Sequence, residues 1–488
     1  MKTTIPAYLP VVTEEEATMI DHESANYSFM IRYAYKRLQE GMAKGSLEKV
    51  LSAKTGMTIR HAKDAVEDAR ELIKARKVLM KEYLNLWSKR YEKTKARFDR
   101  LASIPGVSFQ SKKMKGIVNR LDKQEKKVQH YHEHVKNGTF DEVIFGGRIN
   151  FEKRSKGDLS KQDWWELRNG RLSSRGDASK KGNPNLRVVE EDGQFYLQIT
   201  LSDFTMKGKN KYYEKMKLPL YVATKKSKKT GKMNGRNYPD LMKKTISSGS
   251  AYQVEILKRN GNYYVHIVVN EEEPSLVTYP VNGYKGLDTN PDGLAICHVN
   301  SIGNPLSFVW LGDGGLQDYP TNKRENLISN LAHQFVKSCV KDGTGAILED
   351  LTFVQDRQVN AKFHRMSHSF CYRKLLSTIE RLCARYGVEC IKVKPAYTSV
   401  VGRLKYQFQY DVSVHQAAAL AIARRGLGYR EKIPKGLFNL LTPQQKKQIY
   451  QKTEFGRWEM LRKRVIALLK KKNAKYYRWL DFRNELMK

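Results

Sequence analysis

Residues 284–295, YKGLDTNPDGLA, and residues 345–351, GAILEDL, decide the fold of the second half of this chain. The first segment has the pattern of a strand, a tight turn and a second strand, and the second is a short apolar strand that ends in acids. Between them, residues 304–311 predict a third strand and residues 322–341 an amphipathic helix. This order predicts a mixed sheet with helices over residues 281–428.

Two acidic residues lie in predicted strands, Asp288 within the first of them before its turn, and Glu349 at the end of the other. Asp288 follows the apolar run KGL, and Glu349 ends the run AIL. Taken alone, an Asp before a turn is as often a turn cap as a functional residue. A carboxylate at the end of a buried strand is costly without a partner, and two on neighbouring strands also repel each other. Because Mg²⁺ prefers carboxylate ligands and can activate water at a phosphodiester, the pair predicts a Mg²⁺ or Mn²⁺ site.

The order of these residues also fits an RNase H fold. In that fold the first acid lies on the first strand, the next ends the fourth strand, and another lies on a late helix. Three strands and a helix separate Asp288 from Glu349 here, as that topology requires. The ordered pair within this pattern is stronger evidence than either acid alone.

Four segments resemble the RuvC nuclease domain of transposon TnpB proteins and compact type V CRISPR effectors. GLDTNPDGLA (286–295) resembles the first RuvC motif, and ILEDLTF (347–353) resembles the second. KPAYTSVVG (394–402) is similar to the segment that follows, and SVHQAAALAIARRGLG (413–428) resembles the third motif, most closely that of TnpB-related proteins of IS200/IS605 elements. The resemblance is tight over residues 283–428 and looser in the N-terminal half.

The resemblance implies a guide-RNA-directed DNA endonuclease that cuts target DNA at a single RuvC-like two-metal site. The alternative is a nuclease-deficient, RNA-guided DNA-binding protein of the repressor type. A transposase and a basic structural RNA-binding protein are weaker alternatives, since the motif context argues against the first and the two buried acids against the second. The identity and source of the guide, the target-adjacent motif and the oligomeric state are left open.

The chain departs from the family pattern at two places. His415 stands where the third motif usually supplies an Asp, so the implied catalytic and metal-binding set is Asp288, Glu349 and His415. Asp411, one turn earlier, is the second choice, and a site with no third ligand is the remaining possibility. The family's C-x-x-C zinc ribbon is absent between Ser399 and Ser413, so zinc is not expected.

The charge of the chain indicates a polyanionic partner. Its 89 Lys and Arg exceed its 51 Asp and Glu and give a net charge of +38, spread along the whole sequence. No apolar run of roughly 18–20 residues and no secretion signal is present, so we expect no membrane partner and a cytoplasmic location. The five cysteines form no C-x-x-C pair, which fits reduced thiols.

Two short basic segments are candidate phosphate contacts. Lys225, Lys226, Lys228 and Lys229 lie in a run that is otherwise typical of a solvated loop. Arg424 and Arg425 end the alanine-rich segment, where they would also complement the negative end of a helix.

The chain is predicted to be a multidomain α+β protein. The predicted parts are a mainly helical recognition region, a basic linker, an antiparallel β domain of the wedge type, a RuvC-like nuclease domain and a basic helical tail. In chain order these span residues 1–139, 140–183, 184–280, 281–428 and 429–488. In the β domain, Asp192-Gly193 and Asn260-Gly261 predict hairpin turns. In the first region, the segments around residues 23–100 and 112–135 predict a helical hairpin, either structural or facing nucleic acid.

Overall fold

The fold is known from a computed structural model, and it divides into two compact units. The N-terminal unit spans Lys2–Glu271, and the C-terminal unit spans Glu272–Lys488 together with Met1. The residues that the structure describes are 1–106, 108–224, 236–290, 292–312, 319–351 and 369–487. The basic run with Lys225, Lys226, Lys228 and Lys229 lies outside them.

A seven-stranded antiparallel sheet organises the N-terminal unit, in the order β2-β6-β7-β1-β5-β4-β3. Its strands are β1 Lys2–Tyr8, β2 Arg171–Ser174, β3 Leu186–Glu191, β4 Gln194–Lys207, β5 Asn210–Val222, β6 Tyr252–Arg259 and β7 Asn262–Asn270. The two predicted hairpins are confirmed: Asp192 and Asn260 have φ of 48° and 50°, and the glycine after each also has positive φ.

Seven α-helices of the N-terminal unit are described. They are α1 Glu14–Gln39, α2 Lys44–Thr55, α3 Ile59–Ala102, α4 Lys112–Asn137, α5 Arg148–Lys156, α6 Lys161–Asn169 and α7 Tyr238–Ser247. Helices α3 and α4 pack against each other, for example through Tyr83 and Tyr131, whose ring centroids are 5.3 Å apart. The predicted helical hairpin is confirmed for α3 and α4, whereas residues 23–55 of its predicted first arm lie in the separate helices α1 and α2.

The prediction of a basic loop over residues 140–183 is wrong, because this segment contains α5, α6 and β2. Its aromatic side chains supply the reason. Phe151 and Trp164 pack at 5.9 Å between ring centroids, and Phe145 packs on Tyr35 of α1 at 5.5 Å. These contacts stabilise short helices that the Gly-, Lys- and Ser-rich composition argued against.

A five-stranded mixed sheet organises the C-terminal unit, in the order β10-β9-β8-β11-β12. Its strands are β8 Tyr284–Asn290, β9 Gly293–Val299, β10 Pro305–Leu311, β11 Gly345–Glu349 and β12 Cys390–Val393. The first three pair antiparallel, whereas β11 runs parallel to both β8 and β12. The predicted strand–strand–strand–helix–strand order is confirmed.

Helices cover both faces of this sheet. The described α-helices are α8 Thr321–Asp342, α9 Ser369–Tyr386, α10 Thr398–Val401, α11 Gln407–Tyr410, α12 Val414–Gly426, α13 Lys435–Asn439, α14 Pro443–Gln448, α15 Glu454–Lys471 and α16 Trp479–Met487. Helices α8 and α9 share one apolar cluster with Leu287 and Leu348, and α12 shares another with Ala295 and Ile347. In the tail, Trp458, Leu461 and Val465 of α15 are buried in that second cluster, as their spacing predicts.

Helix α12 lies close to the sheet because small residues face each other. Ala417, Ala419 and Ala423 of α12 are fully buried. A Cβ atom at Gly286 of β8 would overlap the backbone of Ala419, and one at Gly426 would overlap the side chain of Ile347. The alanine-rich sequence thus fixes the distance between α12 and the strand that carries Asp288.

Candidate active site

Asp288 lies near the end of β8 and points toward α12. Side chains alternate along a strand, so Asp288 shares the face of Gly286, which contacts α12. Its side chain is buried, with 9% exposed. Its Oδ2 atom accepts a hydrogen bond of 3.1 Å from Nδ2 of Asn290, which orients the carboxylate at the end of the strand.

Glu349 lies beside Asp288 on the neighbouring parallel strand. Leu348 of β11 pairs with Leu287 of β8, so the next residue of each strand, Glu349 and Asp288, is adjacent across the ladder. Glu349 also shares its face with Ile347, which packs under Gly426 of α12. The fold therefore places the two predicted acids side by side on the α12 face of the sheet.

Burial and a neighbouring negative charge raise the pKa of Glu349. Loss of solvent raises its pKa to about 7, and the negative charge of Asp288 raises it as well. A hydrogen bond from Oγ1 of Thr398 to Oε1 of Glu349, 2.6 Å long, acts in the opposite direction, as does the positive charge of Arg425. The carboxyl group therefore lies close to the midpoint of its titration near neutral pH.

Thr398 is a site residue that the sequence did not single out. It begins α10, and its side chain is buried. Tyr397, just before it, has a φ of 64°, a conformation that side chains other than glycine rarely adopt. The only sequence signal was the position of Thr398 within KPAYTSVVG, whose spacing assigns no role to a hydroxyl group.

His415 reaches the site from the first turn of α12. Ser413 caps this helix, in a capping box with Gln416, so the helix begins where His415 can face β8. Its Nδ1 atom lies 3.1 Å from Oδ2 of Asp288, within hydrogen-bond distance. Its side chain is 47% exposed, and the ring centroid of Trp310 is 6.2 Å away.

The three predicted ligands do not converge on one point. Asp288 contacts His415 and interacts electrostatically with Glu349. Among the described residues, however, they do not form a group whose ligand atoms all lie within 4.8 Å of one another. Asp411 is exposed in a left-handed turn with a φ of 48°, and no such group of described residues includes it.

The two predicted arginines differ in their surroundings. Arg424 donates from Nε to Glu431 at 2.8 Å and from Nη1 to the carbonyl of Gly303 at 2.7 Å, so a phosphate would compete with internal bonds. Arg425 donates to the carbonyl of Lys394, and its charge acts on Glu349. Arg425 is therefore the better placed of the two to act at the site.

Comparison with known proteins gives a family for the N-terminal half. The family model described as the SSO2105 N-terminal domain matches residues 2–282, which is more than half of the chain. The chain belongs to this family. No curated protein matches the sequence.

Several solved structures of type V CRISPR effector complexes are weakly similar. A CRISPR-Cas12f ternary complex is 12% identical over 86% of this chain and 98% of that chain, with a TM-score of 0.22. A Cas12f1–sgRNA–target DNA complex is 12% identical over 72% and 95%, with a TM-score of 0.21. A Cas12i1 R-loop complex after target DNA cleavage is 10% identical over 87% and 53%, with a TM-score of 0.20. TM-scores this low do not establish a shared fold.

Of the helices in the described part of the chain, none combines the length and the apolar composition needed to cross a bilayer.

Proposed function

We propose that this chain is a guide-RNA-directed DNA endonuclease with a single RuvC-like site formed by Asp288, Glu349 and His415. One observation carries the proposal: two acids lie side by side on parallel strands β8 and β11, and His415 of α12 contacts the first of them. The strand order β10-β9-β8-β11-β12 supports an RNase H fold, because the first acid is then on the first strand and the second ends the fourth.

The acids suit a bound Mg²⁺ or Mn²⁺ ion. Asp288 and Glu349 would hold it through carboxylate oxygens, and His415 would complete the set. Glu349 with a pKa near 7, beside a second acid, is a group whose ionised form a cation would stabilise. Such an ion would activate water and stabilise the leaving oxygen of a phosphodiester.

The protein residues around the acids would keep them ready for this ion. Thr398 holds one oxygen of Glu349, and Asn290 holds one oxygen of Asp288. Arg425 offsets part of the negative charge at Glu349. Together these contacts hold the two carboxyl groups in place on neighbouring strands.

The charge of the chain supports nucleic acid as the partner. In α4 alone, eight exposed Lys and Arg side chains stand against three Asp and Glu. When such a surface binds phosphates, the nucleic acid releases its condensed counterions, so binding should weaken steeply with salt. The guide-RNA part of the proposal rests on the motif resemblance, and in such proteins base pairing reads the sequence.

A nuclease-deficient, RNA-guided DNA-binding protein is the second candidate, and one observation favours it. Oδ2 of Asp288 already accepts Asn290 and lies at hydrogen-bond distance from His415. A site held together by these internal bonds would bind a metal weakly. The chain would then bind its target without cutting it.

The decisive experiment is to co-express the chain with its flanking genomic DNA, purify it and sequence the bound RNA. The same preparation is then incubated with Mg²⁺ and guide-matched DNA. We expect a discrete RNA and cleavage that is lost in Asp288→Ala and Glu349→Gln. Asp350→Asn is the matched control, because it also turns an acid into a neutral side chain, next to Glu349 but exposed.

Three other outcomes would each change the conclusion. A discrete RNA with tight target binding and no cleavage supports the binding protein. Cleavage that persists in Asp288→Ala rejects this site. The absence of any specific RNA rejects both guided functions.

A further inference from the structure

The C-terminal end of α4 brings three metal-type ligands together, far in sequence from the acids of the candidate active site. His130 and His134 are four residues apart and so lie on one face of the helix. Gly138, with a φ of 64°, ends the helix and turns the chain back. The turn places Asp141 against both histidines.

One oxygen of Asp141 faces both imidazoles. Its Oδ1 atom lies 2.8 Å from Nε2 of His130 and 3.4 Å from Nε2 of His134. Ligand atoms around a tetrahedral Zn²⁺ ion, at bonds of about 2.0–2.1 Å, are separated by about 3.3–3.4 Å. These three form the only group of three or more His, Cys, Asp or Glu residues, within the part of the chain that the structure describes, whose ligand atoms all lie within 4.8 Å of one another.

A neighbouring hydroxyl group orients one of the imidazoles. Nδ1 of His134 lies 2.8 Å from Oγ1 of Thr139, at hydrogen-bond distance. When Nδ1–H donates to Thr139, Nε2 of His134 turns a lone pair toward the carboxylate of Asp141. A hydrogen bond of this kind on the far nitrogen is what protein metal sites use to orient a histidine ligand.

We propose that His130, His134 and Asp141 bind a divalent transition-metal ion, with Zn²⁺ the best match. Two nitrogen ligands and one carboxylate are a common ligand set for Zn²⁺ and leave a fourth position for water or a ligand from a partner. A cation between the two imidazoles and the carboxylate would also sit at the negative end of the α4 dipole. The absence of a zinc ribbon argued against zinc, but it does not bear on this cluster.

The bound ion would connect the end of α4 to the chain that follows it. Tyr131, next to His130, is buried and packs on Tyr83 of α3. Fixing His130 and His134 to Asp141 would therefore hold the end of the α3–α4 pair in place. This is a structural role for the metal, and it does not depend on the proposed nuclease.

The test uses the full chain, stripped of metal with a chelator and titrated with Zn²⁺ by calorimetry. We expect a tight equivalent in the wild type, in addition to any Zn²⁺ held by Asp288, Glu349 and His415, and a loss of that affinity on the order of 100-fold in His130→Ala and in His134→Ala. Co²⁺ in place of Zn²⁺ should give the visible absorption bands of a tetrahedral site. Thr139→Val keeps all three ligands and should weaken binding by about 10–100-fold.

His132→Ala is the matched control. It removes an exposed imidazole from the same helix, two residues from each ligand and therefore on another face. We expect its Zn²⁺ affinity to equal that of the wild type. Either of two results would overturn the proposal. One is an equal affinity in His130→Ala and His132→Ala, and the other is no binding at about 100 micromolar Zn²⁺, which is ample for a three-ligand site. Far-UV circular dichroism of each variant separates lost ligands from lost folding.

Discussion

Nδ1 of His415 lies 3.1 Å from Oδ2 of Asp288, so the first turn of α12 is joined to the end of β8. This contact between His415 and Asp288 is attractive, whereas a carboxylate at position 415 would repel Asp288. An Asp at position 415 would add a third carboxylate beside Asp288 and Glu349, whereas an imidazole can donate to one of them. In the proposed site this contact would stabilise the metal-free state, although imidazole suits Mg²⁺ less well than carboxylate does.

This relationship predicts opposite effects for two substitutions at position 415. His415→Ala should slow guide-directed cleavage by about 100-fold, because a ligand is lost. His415→Asp should cut at least as fast as the wild type at saturating Mg²⁺, because carboxylate suits this ion better than imidazole. Single-turnover rates on guide-matched DNA measure both effects.

Asp411→Asn is the control for these variants, and it also tests the second-choice ligand. Its side chain is exposed, and we expect its rate to match the wild type. A large loss in Asp411→Asn with little loss in His415→Ala would assign the third ligand to Asp411 instead.

Thr398 should set the pH at which Glu349 ionises and can take part in cleavage. Its hydrogen bond opposes the effect of burial on the pKa of Glu349, so Thr398→Val should raise that pKa further above its ordinary value. Cleavage requires the ionised carboxylate and should rise with pH through about 7 when Mg²⁺ is limiting. We expect the acid limb of the pH–rate profile to move up by about one pH unit in Thr398→Val.

Two matched variants control this experiment. Thr398→Ser keeps the hydroxyl group and should keep the profile of the wild type. Ser399→Ala removes an exposed hydroxyl from the next residue and should do the same. If Thr398→Val lowers the rate equally at all pH values, Thr398 acts on folding or position and not on the ionisation of Glu349.

Local patterns were sufficient to predict the sheet of the C-terminal unit. Its turns, its apolar runs and the acids at the ends of two runs are encoded within a few residues each, so both order and position could be inferred. Strand β1 carries no such signal. It contains Pro6, which is unusual within a central strand, and it pairs with β7 and β5 far along the chain.

The contacts of the candidate site divide in the same way. Asp288 and Glu349 lie on elements with clear patterns, and the parallel pairing of β8 and β11 brings them together. Thr398 reaches Glu349 across 49 positions of sequence, and its role depends on the left-handed turn at Tyr397. No spacing or composition could predict that contact.

Two glycine substitutions should change stability in opposite directions. Gly286→Ala puts a Cβ atom into the backbone of α12 and should lower the free energy of unfolding by about 1–3 kcal/mol. Gly116 lies in the second turn of α4 with open space around it, so Gly116→Ala should raise that free energy by about 0.5–1 kcal/mol. Urea unfolding of both variants gives the two values.

The functional consequence of Gly286→Ala follows from the same geometry. Moving α12 away from β8 separates His415 from Asp288, so the variant should also lose cleavage at temperatures where it remains folded. Gly116→Ala should keep the cleavage rate of the wild type. A stable Gly286→Ala protein with full activity would show that the close approach of α12 is not required.

His61 should make the N-terminal unit sensitive to acid. It is 1% exposed, and burial lowers its pKa to about 3. In the unfolded chain a histidine titrates near 6.5, so between these pH values only the unfolded chain binds the proton. The contribution of His61 to the free energy of unfolding should therefore be fully present above about pH 6.5. It should fall as the pH falls, by about 2 kcal/mol at pH 5.

The measurement is the difference between wild type and His61→Phe in urea unfolding at pH 7 and pH 5, followed by far-UV circular dichroism. The difference isolates His61, since Asp64, whose pKa burial raises to about 6, contributes with the opposite sign in both proteins. His61→Phe should lose less stability than the wild type on acidification, while the exposed His132→Phe should lose the same. If His61→Phe and the wild type lose equal stability, His61 is not the proton-binding group, because its buried imidazole is the only difference between them.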